Sequence, residues 1–473
     1  MASPHVLLFP FMSKGHTIPV LHLARLLLRR RGSAVTLFTT PANRSFISAA
    51  LSDTTVSIID LPFPQNIDCI PPHVESTDKL PDMSQWPRLA IAAKLMKPYF
   101  EQTLKSLPRI SFMITDGFLG WTLDSAQKFG IPRLVYYGMS NFSMSLSAVA
   151  SQSRQLLIDL ELDNNKLFTF PIFPWIKFSK NDFDPAFVDP ESQDKLHSEF
   201  ILEQVQATEK SYGIIVNGFY ELESVYADYW NRESGPKAWC VGPLCLAAPP
   251  RKKHEIYETP SWIQWLDRNQ EEGKPVLYVA FGSQADISRE QIEQIKTGLE
   301  KSGVNFLWVV GKNQVEDDDG FEYRVKDRGM LVKEWVDQRE ILEHSSVQGF
   351  LSHCGWNSVM ESICAKVPIL AWPMMAEQPL NAKMVVEEIG IGLRVETSDG
   401  SMNGFVKWDK LEKVVKELME GEMGKELGKK VKQLGGAAAE AVAEGGSSWN
   451  ALNELINELH TTENTRLICT NGP

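Results

Sequence analysis

Short apolar runs rich in β-branched and aromatic residues alternate with amphipathic stretches almost from one end of the chain to the other. That rhythm constrains the fold more than any other feature. Buried parallel strands read as continuous apolar runs, and each needs a helical crossover before the next. A first series places strands at residues 5–10, 34–39, 56–61, 110–116, 133–137, 213–217 and 238–241, with a helix from about Thr17 to Arg31 after the first. The basic run Arg29, Arg30 and Arg31 falls at the negative end of that helix and reads as a cap before Gly32. A second series follows at 276–281, 305–310, 330–332, 348–352, 368–372 and 392–395, and helical stretches from about 408 to 459 close the chain. A chain of 473 residues exceeds the roughly 250–300 at which one core stops growing, so two sheets in two domains are expected. The expected fold class is therefore α/β, with two Rossmann-like domains facing across a cleft. Residues 1–244 form the first domain. Residues 245–259, where Pro, small residues and charge replace periodicity, form a linker, and 260–445 form the second domain. Residues 446–460 make a terminal helix, and 461–473 a polar tail.

The net charge of −12 argues against non-specific binding to nucleic acid or to anionic lipid, both of which need a basic footprint. An anionic ligand would need a local trap. No stretch approaches the roughly 20 apolar residues of a spanning helix, and the N-terminus shows no secretory lead. Six scattered cysteines without CxxC pairs read as reduced thiols of a cytoplasmic chain and offer no metal spacing.

Ligands of open α/β sheets bind outside the carboxyl ends of the strands, and four segments fall there. The turn Phe9-Pro-Phe-Met-Ser-Lys-Gly-His16 has one Gly where a dinucleotide fingerprint has three, which argues against a nicotinamide or flavin site there. Its His16 is suited to take a proton from a hydroxyl near neutral pH, or else caps a helix or fills the core. Asp116, ending another strand of the same sheet, can orient such an imidazole, or form a turn before Gly117. The turn Phe281-Gly-Ser283 allows close backbone approach and offers a hydroxyl. In Ser352-His353-Cys-Gly355-Trp356-Asn357-Ser358 an apolar strand runs through a Gly turn into a helix expected to start near Asn357. Its unpaired N–H groups form a ready anion site, unless Asn357 or Ser358 simply caps it. A DxD pattern, Asp182-Phe183-Asp184, lies in a Pro-flanked loop away from the phosphate turn, and no metal site is assigned to it.

The stretch from Trp335-Val336-Asp-Gln338 through His353-Cys-Gly355-Trp356-Asn357-Ser358 and Glu361 to Glu377-Gln378 resembles, without gaps, the plant secondary-product glycosyltransferase signature. With Gly15-His16-x-x-Pro19, Asp116, Val241-Gly-Pro-Leu244 and Phe281-Gly-Ser283, the resemblance to plant family 1 UDP-dependent glycosyltransferases covers nearly the whole chain. It implies the glycosyltransferase B fold, with acceptor on the first domain, UDP-sugar on the second, and the terminal helix packed back on the first. It implies that Trp335 stacks on uracil, the Val336 backbone reads its edge, and Gln338 and Glu361 hold the ribose hydroxyls. Ser283, His353, Asn357 and Ser358, at the Gly355 turn, would bind the diphosphate. Trp356, Glu377 and Gln378 would contact the sugar, and His16 would be the general base with Asp116 its partner. Glu377 stands where most members have Asp, and Gln378 leans toward glucose.

The expected reaction is inverting transfer of glucose from UDP-glucose to a hydroxyl of a small aromatic acceptor, such as a flavonoid or other phenol, by a monomer with no metal and no cofactor beyond the donor. C-glycosylation of a phenolic ring, terpenoid or hormone acceptors, and an inactive sugar-nucleotide-binding protein are the alternatives. Met12, Met83, Trp86, Phe118, Met139, Phe142 and Phe183 are candidates for an aromatic-accommodating pocket, or for core.

Overall fold

The computed structural model describes residues 3–30, 32–153, 165–183, 195–247, 259–311, 320–402 and 404–470, with side chains up to 460. Fifteen strands occur among the described residues. They are β1 (His5–Phe9), β2 (Ala34–Thr39), β3 (Ser57–Asp60), β4 (Phe112–Asp116), β5 (Arg133–Tyr136), β6 (Phe168–Phe170), β7 (Phe173–Phe178), β8 (Gly213–Val216), β9 (Ala238–Cys240), β10 (Val276–Ala280), β11 (Asn305–Val309), β12 (Gly329–Val332), β13 (Val347–Ser352), β14 (Ile369–Ala371) and β15 (Gly392–Arg394). The contacts divide the chain into two compact units. One contains the described residues of 1–145, 189–248 and 440–473; the other, those of 146–188 and 249–439.

The first unit is built on a seven-stranded sheet in the order β3-β2-β1-β4-β5-β8-β9, every pair parallel. Strands β4, β5 and β8 are buried at every position, as strands covered by helices on both faces must be. The helix Lys14–Arg29 follows β1 and turns Val20, Leu23, Ala24 and Leu27 onto the sheet. It starts three residues earlier than the expected Thr17, with the extended Ser13 as its N-cap and Pro19 inside it. Arg30 is its C-cap, and the Arg30 guanidinium lies 2.9 Å from the centroid of the Trp449 ring. The final helix, Ser447–Thr470, adds Leu452, Leu455, Ile456 and Leu459 to the same core, and Ser448 Oγ donates to the Gly242 carbonyl.

The second unit repeats the scheme with six parallel strands in the order β12-β11-β10-β13-β14-β15. The hairpin β6–β7 belongs to this unit. Its aromatic residues Phe168, Phe170 and Phe178 close around Phe183, and Trp175 Nε1 donates to Glu388. In each unit the strand order reverses beside the central strand, between β1 and β4 in one and between β10 and β13 in the other. A crevice opens at the carboxyl ends of such strands.

Candidate functional site

In the first unit the switch point carries His16 and Asp116. Ser13 opens the helix Lys14–Arg29 in extended conformation, so His16 lies in the first helical turn rather than on the strand end. The register pairs Phe9 with Thr115, which puts the residue after Thr115 level with the turn leaving β1. His16 Nδ1 lies 2.8 Å from Asp116 Oδ2. Asp116 also accepts from the Phe118 N–H through Oδ1 at 3.0 Å, so the turn-forming role and the imidazole-holding role coexist in one carboxylate. An ionised carboxylate only accepts, so Nδ1 carries the proton and Nε2 presents its lone pair. The Asp116 side chain has no exposure, whereas His16 keeps 22%. The imidazole is thus reachable and its partner is not.

Aromatic rings surround this pair. Phe11 and Phe118 flank the His16 ring at 5.8 and 5.1 Å. Trp86 packs on Phe118 at 5.2 Å, and His197 and Phe200 pack edge-on to Trp86. Of the pocket candidates, Phe118 stands beside His16 and Trp86 packs on Phe118. Phe142 is buried against Tyr226, Phe183 lies in the hairpin cluster, and Met12 is buried in the sheet core.

In the second unit, Ala280 at the end of β10 pairs with Ser352 at the end of β13. The turns leaving these strands carry Gly282-Ser283 and His353-Cys354-Gly355. Ser283 is exposed. Cys354 takes φ +62°, which turns the chain sharply into the helix Trp356–Ala365. Gly355 is the N-cap, and no side chain caps the helix. Capping by Asn357 or Ser358 is therefore not what these residues do; they occupy the first turn. Gly282 has φ +79°, and a Cβ there would stand 2.9 Å from His353 Nε2; one on Gly355 would stand 2.6 Å from the same atom. Two glycines leave room for that ring. Burial pulls the His353 pKa down to about 4, against a contribution from the Ala280 carbonyl, so the ring is neutral at pH 7.

A hydrogen-bonded chain runs beside this turn. Gln338 Nε2 donates to Ser358 Oγ at 2.8 Å and to Glu361 Oε2 at 2.7 Å, which engages both amide hydrogens. The buried Tyr278 hydroxyl donates to Gln338 Oε1 at 3.4 Å. Burial lifts Glu361 to about 7, partly opposed by the Gln338 hydrogen bond. Trp335, by contrast, exposes 57% of its surface, unusual for so large a ring; Val336 beside it is buried.

Gln378 Oε1 accepts from the N–H groups of Met374 and Met375 at 2.9 and 3.0 Å, leaving the amide NH2 as its outward group. Glu377 Oε1 accepts from Asn381 Nδ2 at 3.2 Å, and the same Nδ2 donates to the Cys354 carbonyl at 3.0 Å. The ring of Trp356 is fully buried, so its main chain is what it offers. Tyr278 and Asn381 escaped the sequence reading. Tyr278 is hidden in an apolar strand, and the only trace of Asn381 is its spacing four residues after Glu377 on one helix.

Asp182 is occupied elsewhere. It accepts from the Ser179 N–H at 2.8 Å and lies 3.7 Å from Lys383 Nζ; Asp184 falls outside the described residues. Among the described residues no group of three metal-ligating side chains is found, and no helix is long and apolar enough to cross a membrane.

Comparison with known proteins gives the family and the fold. The family model for UDP-glucoronosyl and UDP-glucosyl transferase matches residues 259–433. The chain is 53% identical to UDP-glycosyltransferase 90A1 of Arabidopsis thaliana and 34% identical to UDP-glucose flavonoid 3-O-glucosyltransferase 7 of Fragaria ananassa, covering 96% of each chain in both cases. Among solved structures it is similar to UGT73P12 of Glycyrrhiza uralensis complexed with glycyrrhetinic acid 3-O-monoglucuronide. The TM-score is 0.86 at 31% identity, over 99% of this chain and 98% of that one. Two parallel α/β units of this topology make the protein a glycosyltransferase of the B fold. It belongs to plant family 1 of the UDP-glycosyltransferases, enzymes that transfer a sugar from a UDP-sugar to small molecules.

Proposed function

We propose that the enzyme transfers glucose from UDP-glucose to the hydroxyl of a small aromatic acceptor, with inversion at the anomeric carbon. The observation that carries the reading is the 2.8 Å contact between His16 Nδ1 and Asp116 Oδ2, which leaves Nε2 as a base amid aromatic rings. The acceptor O–H gives its proton to Nε2 as its oxygen bonds to the anomeric carbon. The bond from that carbon to the diphosphate breaks, and its electron pair leaves with UDP. Asp116 then faces an imidazolium, which its charge stabilises.

The second unit supplies the donor contacts. Trp335 stacks on uracil and the Val336 main chain reads its edge. Glu361 accepts from the ribose hydroxyls, with Gln338 holding the carboxylate in place. The first-turn N–H groups at Gly355, Trp356, Asn357 and Ser358, with Ser283 and His353, receive the diphosphate and stabilise the charge that grows on it. Ser358 Oγ already accepts from Gln338, so its hydroxyl hydrogen is the part left for a phosphate oxygen. Gln378 donates its NH2 to a sugar hydroxyl, and Glu377 accepts from another.

A flavonoid or related phenol is favoured by the Trp86, Phe118 and Phe200 rings around the base and by the name of the Fragaria relative. The test is incubation of the purified enzyme with UDP-glucose and a panel of phenolic, terpenoid and hormone acceptors, with mass spectrometry of the products. Acid-labile phenolic glucosides support the reading. Acid-stable products mean transfer to ring carbon, and glucosides of non-aromatic acceptors alone overturn the acceptor class.

A further inference from the structure

Arg133, the first residue of β5, is one of the largest fully buried side chains in the protein. Its guanidinium touches only neutral oxygens. Nε donates to Thr115 Oγ1 at 2.7 Å and Thr122 Oγ1 at 2.9 Å. One terminal nitrogen donates to Ser211 Oγ at 2.7 Å, and the other to the Asp116 carbonyl at 3.3 Å. Among the described residues no carboxylate pairs with it directly. A buried cation without a direct counter-charge is costly to keep, and a lysine, glutamine or leucine would fill much of the same space. Burial pulls Arg133 only to about 10, with Tyr137 and Asp116 opposing the fall, so it stays charged at neutral pH.

Asp116 has the complementary difficulty. Its carboxylate is wholly enclosed, and its direct partners are an imidazole, neutral before the reaction, and the Phe118 N–H. The other titratable groups facing it are tyrosines. Tyr136 is held well above its ordinary value by burial and by Asp116. Tyr137 is pushed up to about 12, mainly by burial, and its hydroxyl lies 2.7 Å from Thr208 Oγ1. Neither brings positive charge. Arg133 does, from a guanidinium fastened to the Asp116 main chain.

We propose that Arg133 is a positioning residue for sugar transfer: it is the counter-charge of the Asp116 carboxylate and ties down that strand end, so that His16 keeps its proton on Nδ1 and its lone pair on Nε2. The proposal rests on His16 being the base. Arg133 touches neither substrate nor reacting atoms and acts through Asp116 alone. By offsetting the carboxylate it also restrains the basicity of His16, so the base is free of its proton lower in the pH range.

The experiment is a double-mutant cycle on the full-length enzyme, measured as kcat/KM for a phenolic acceptor at saturating UDP-glucose across pH 5.5–9. Arg133→Met is expected to lose about ten- to a hundredfold and to move the acid limb upward by about half a unit or more, with UDP affinity unchanged. Arg133→Lys is expected to restore the position of the limb while recovering part of the rate. In an Asp116→Asn background, Arg133→Met is expected to cost no more than about threefold further. Losses that multiply across the cycle, or a slow Arg133→Met with an unmoved limb, overturn the proposal and leave Arg133 as a structural tie. Should Arg133→Met not fold, the cycle is read with Arg133→Lys, where a displaced limb or multiplying losses overturn it. His16→Ala run alongside separates the two readings. Wild-type turnover there removes the base itself, whereas failure of the cycle alone removes only Arg133.

Discussion

If Glu361 holds the donor ribose as proposed, donor binding is expected to depend on pH, and the size of the effect follows from the surroundings of Glu361. Burial raises the carboxyl to about 7 in the free protein, against the pull of Gln338 Nε2 at 2.7 Å. Only the ionised form accepts from both ribose hydroxyls. At pH 8 about ten in eleven molecules carry that form, and at pH 6 about one in eleven, so donor affinity is expected to fall about tenfold, or about 1.4 kcal/mol. The assay is titration with UDP-glucose, whose diphosphate diester does not titrate in this range, followed by quenching of the exposed Trp335 or by calorimetry. Calorimetry in two buffers should also register proton release near pH 7. His353, near 4, stays neutral throughout. Glu361→Gln should bind more weakly at pH 8 and with little pH dependence. A flat wild-type profile, or an equal slope in Glu361→Gln, refutes the reasoning. The linkage runs the other way for the empty protein. A carboxyl raised in the folded state contributes stability fully below about 4.5 and loses it as pH rises through 7, so added donor should raise the melting temperature more at pH 8 than at pH 6.

His16→Ala should lower turnover by roughly 10²–10⁴-fold while leaving UDP-glucose binding intact; equal losses in binding would contradict its assignment as base. Gly282→Ala places a Cβ 2.9 Å from His353 Nε2 at a backbone φ of +79° and should raise the donor KM at least tenfold, an effect that a His353→Ala background should absorb only in part, since the backbone strain at positive φ remains. Buried Glu223 accepts from the Phe142 N–H and from Asn141 Nδ2, and burial raises it to about 7. Its stabilising contribution is present below about 4.5 and lost as pH rises through 7. Glu223→Gln should therefore flatten that decline and be relatively more stable at pH 8, by about 1–3 kcal/mol in a thermal or urea melt.

The sheets were legible because their physics is local. A parallel strand covered on both faces is apolar through its buried stretch, as β1 and β10 are along nearly their whole length and β4 and β13 are over residues 112–114 and 350–351, which is why their positions follow from the chain to within a residue or two. The first helix begins three residues before the expected Thr17, at Lys14, because the extended Ser13 and not a residue near Thr17 is its N-cap. The β6–β7 hairpin went unread. Its rings close on one another through Phe168 and Phe178 with Phe183, and Trp175 reaches Glu388 from far along the chain, a tertiary contact that the local pattern does not show.

The donor side was legible for a different reason. The helix Trp356–Ala365 begins on a glycine immediately after a buried strand, so an open helix start is written into one continuous segment. What each side chain does there is not written in that way. Gln338 spends both amide hydrogens on Ser358 and Glu361, and Gln378 spends its carbonyl oxygen on two main-chain N–H groups. Those commitments depend on where neighbouring strands end, and they decide which atoms remain for a ligand. The acceptor side lies furthest from the sequence, since residues 86, 118, 197 and 200 converge on His16 from separate segments. The proposed donor contacts come largely from one stretch of chain, so the use of a UDP-sugar can be read from it. The proposed acceptor wall is assembled from several segments, so acceptor choice is expected to change by substitutions scattered through the first unit that leave the donor segment untouched.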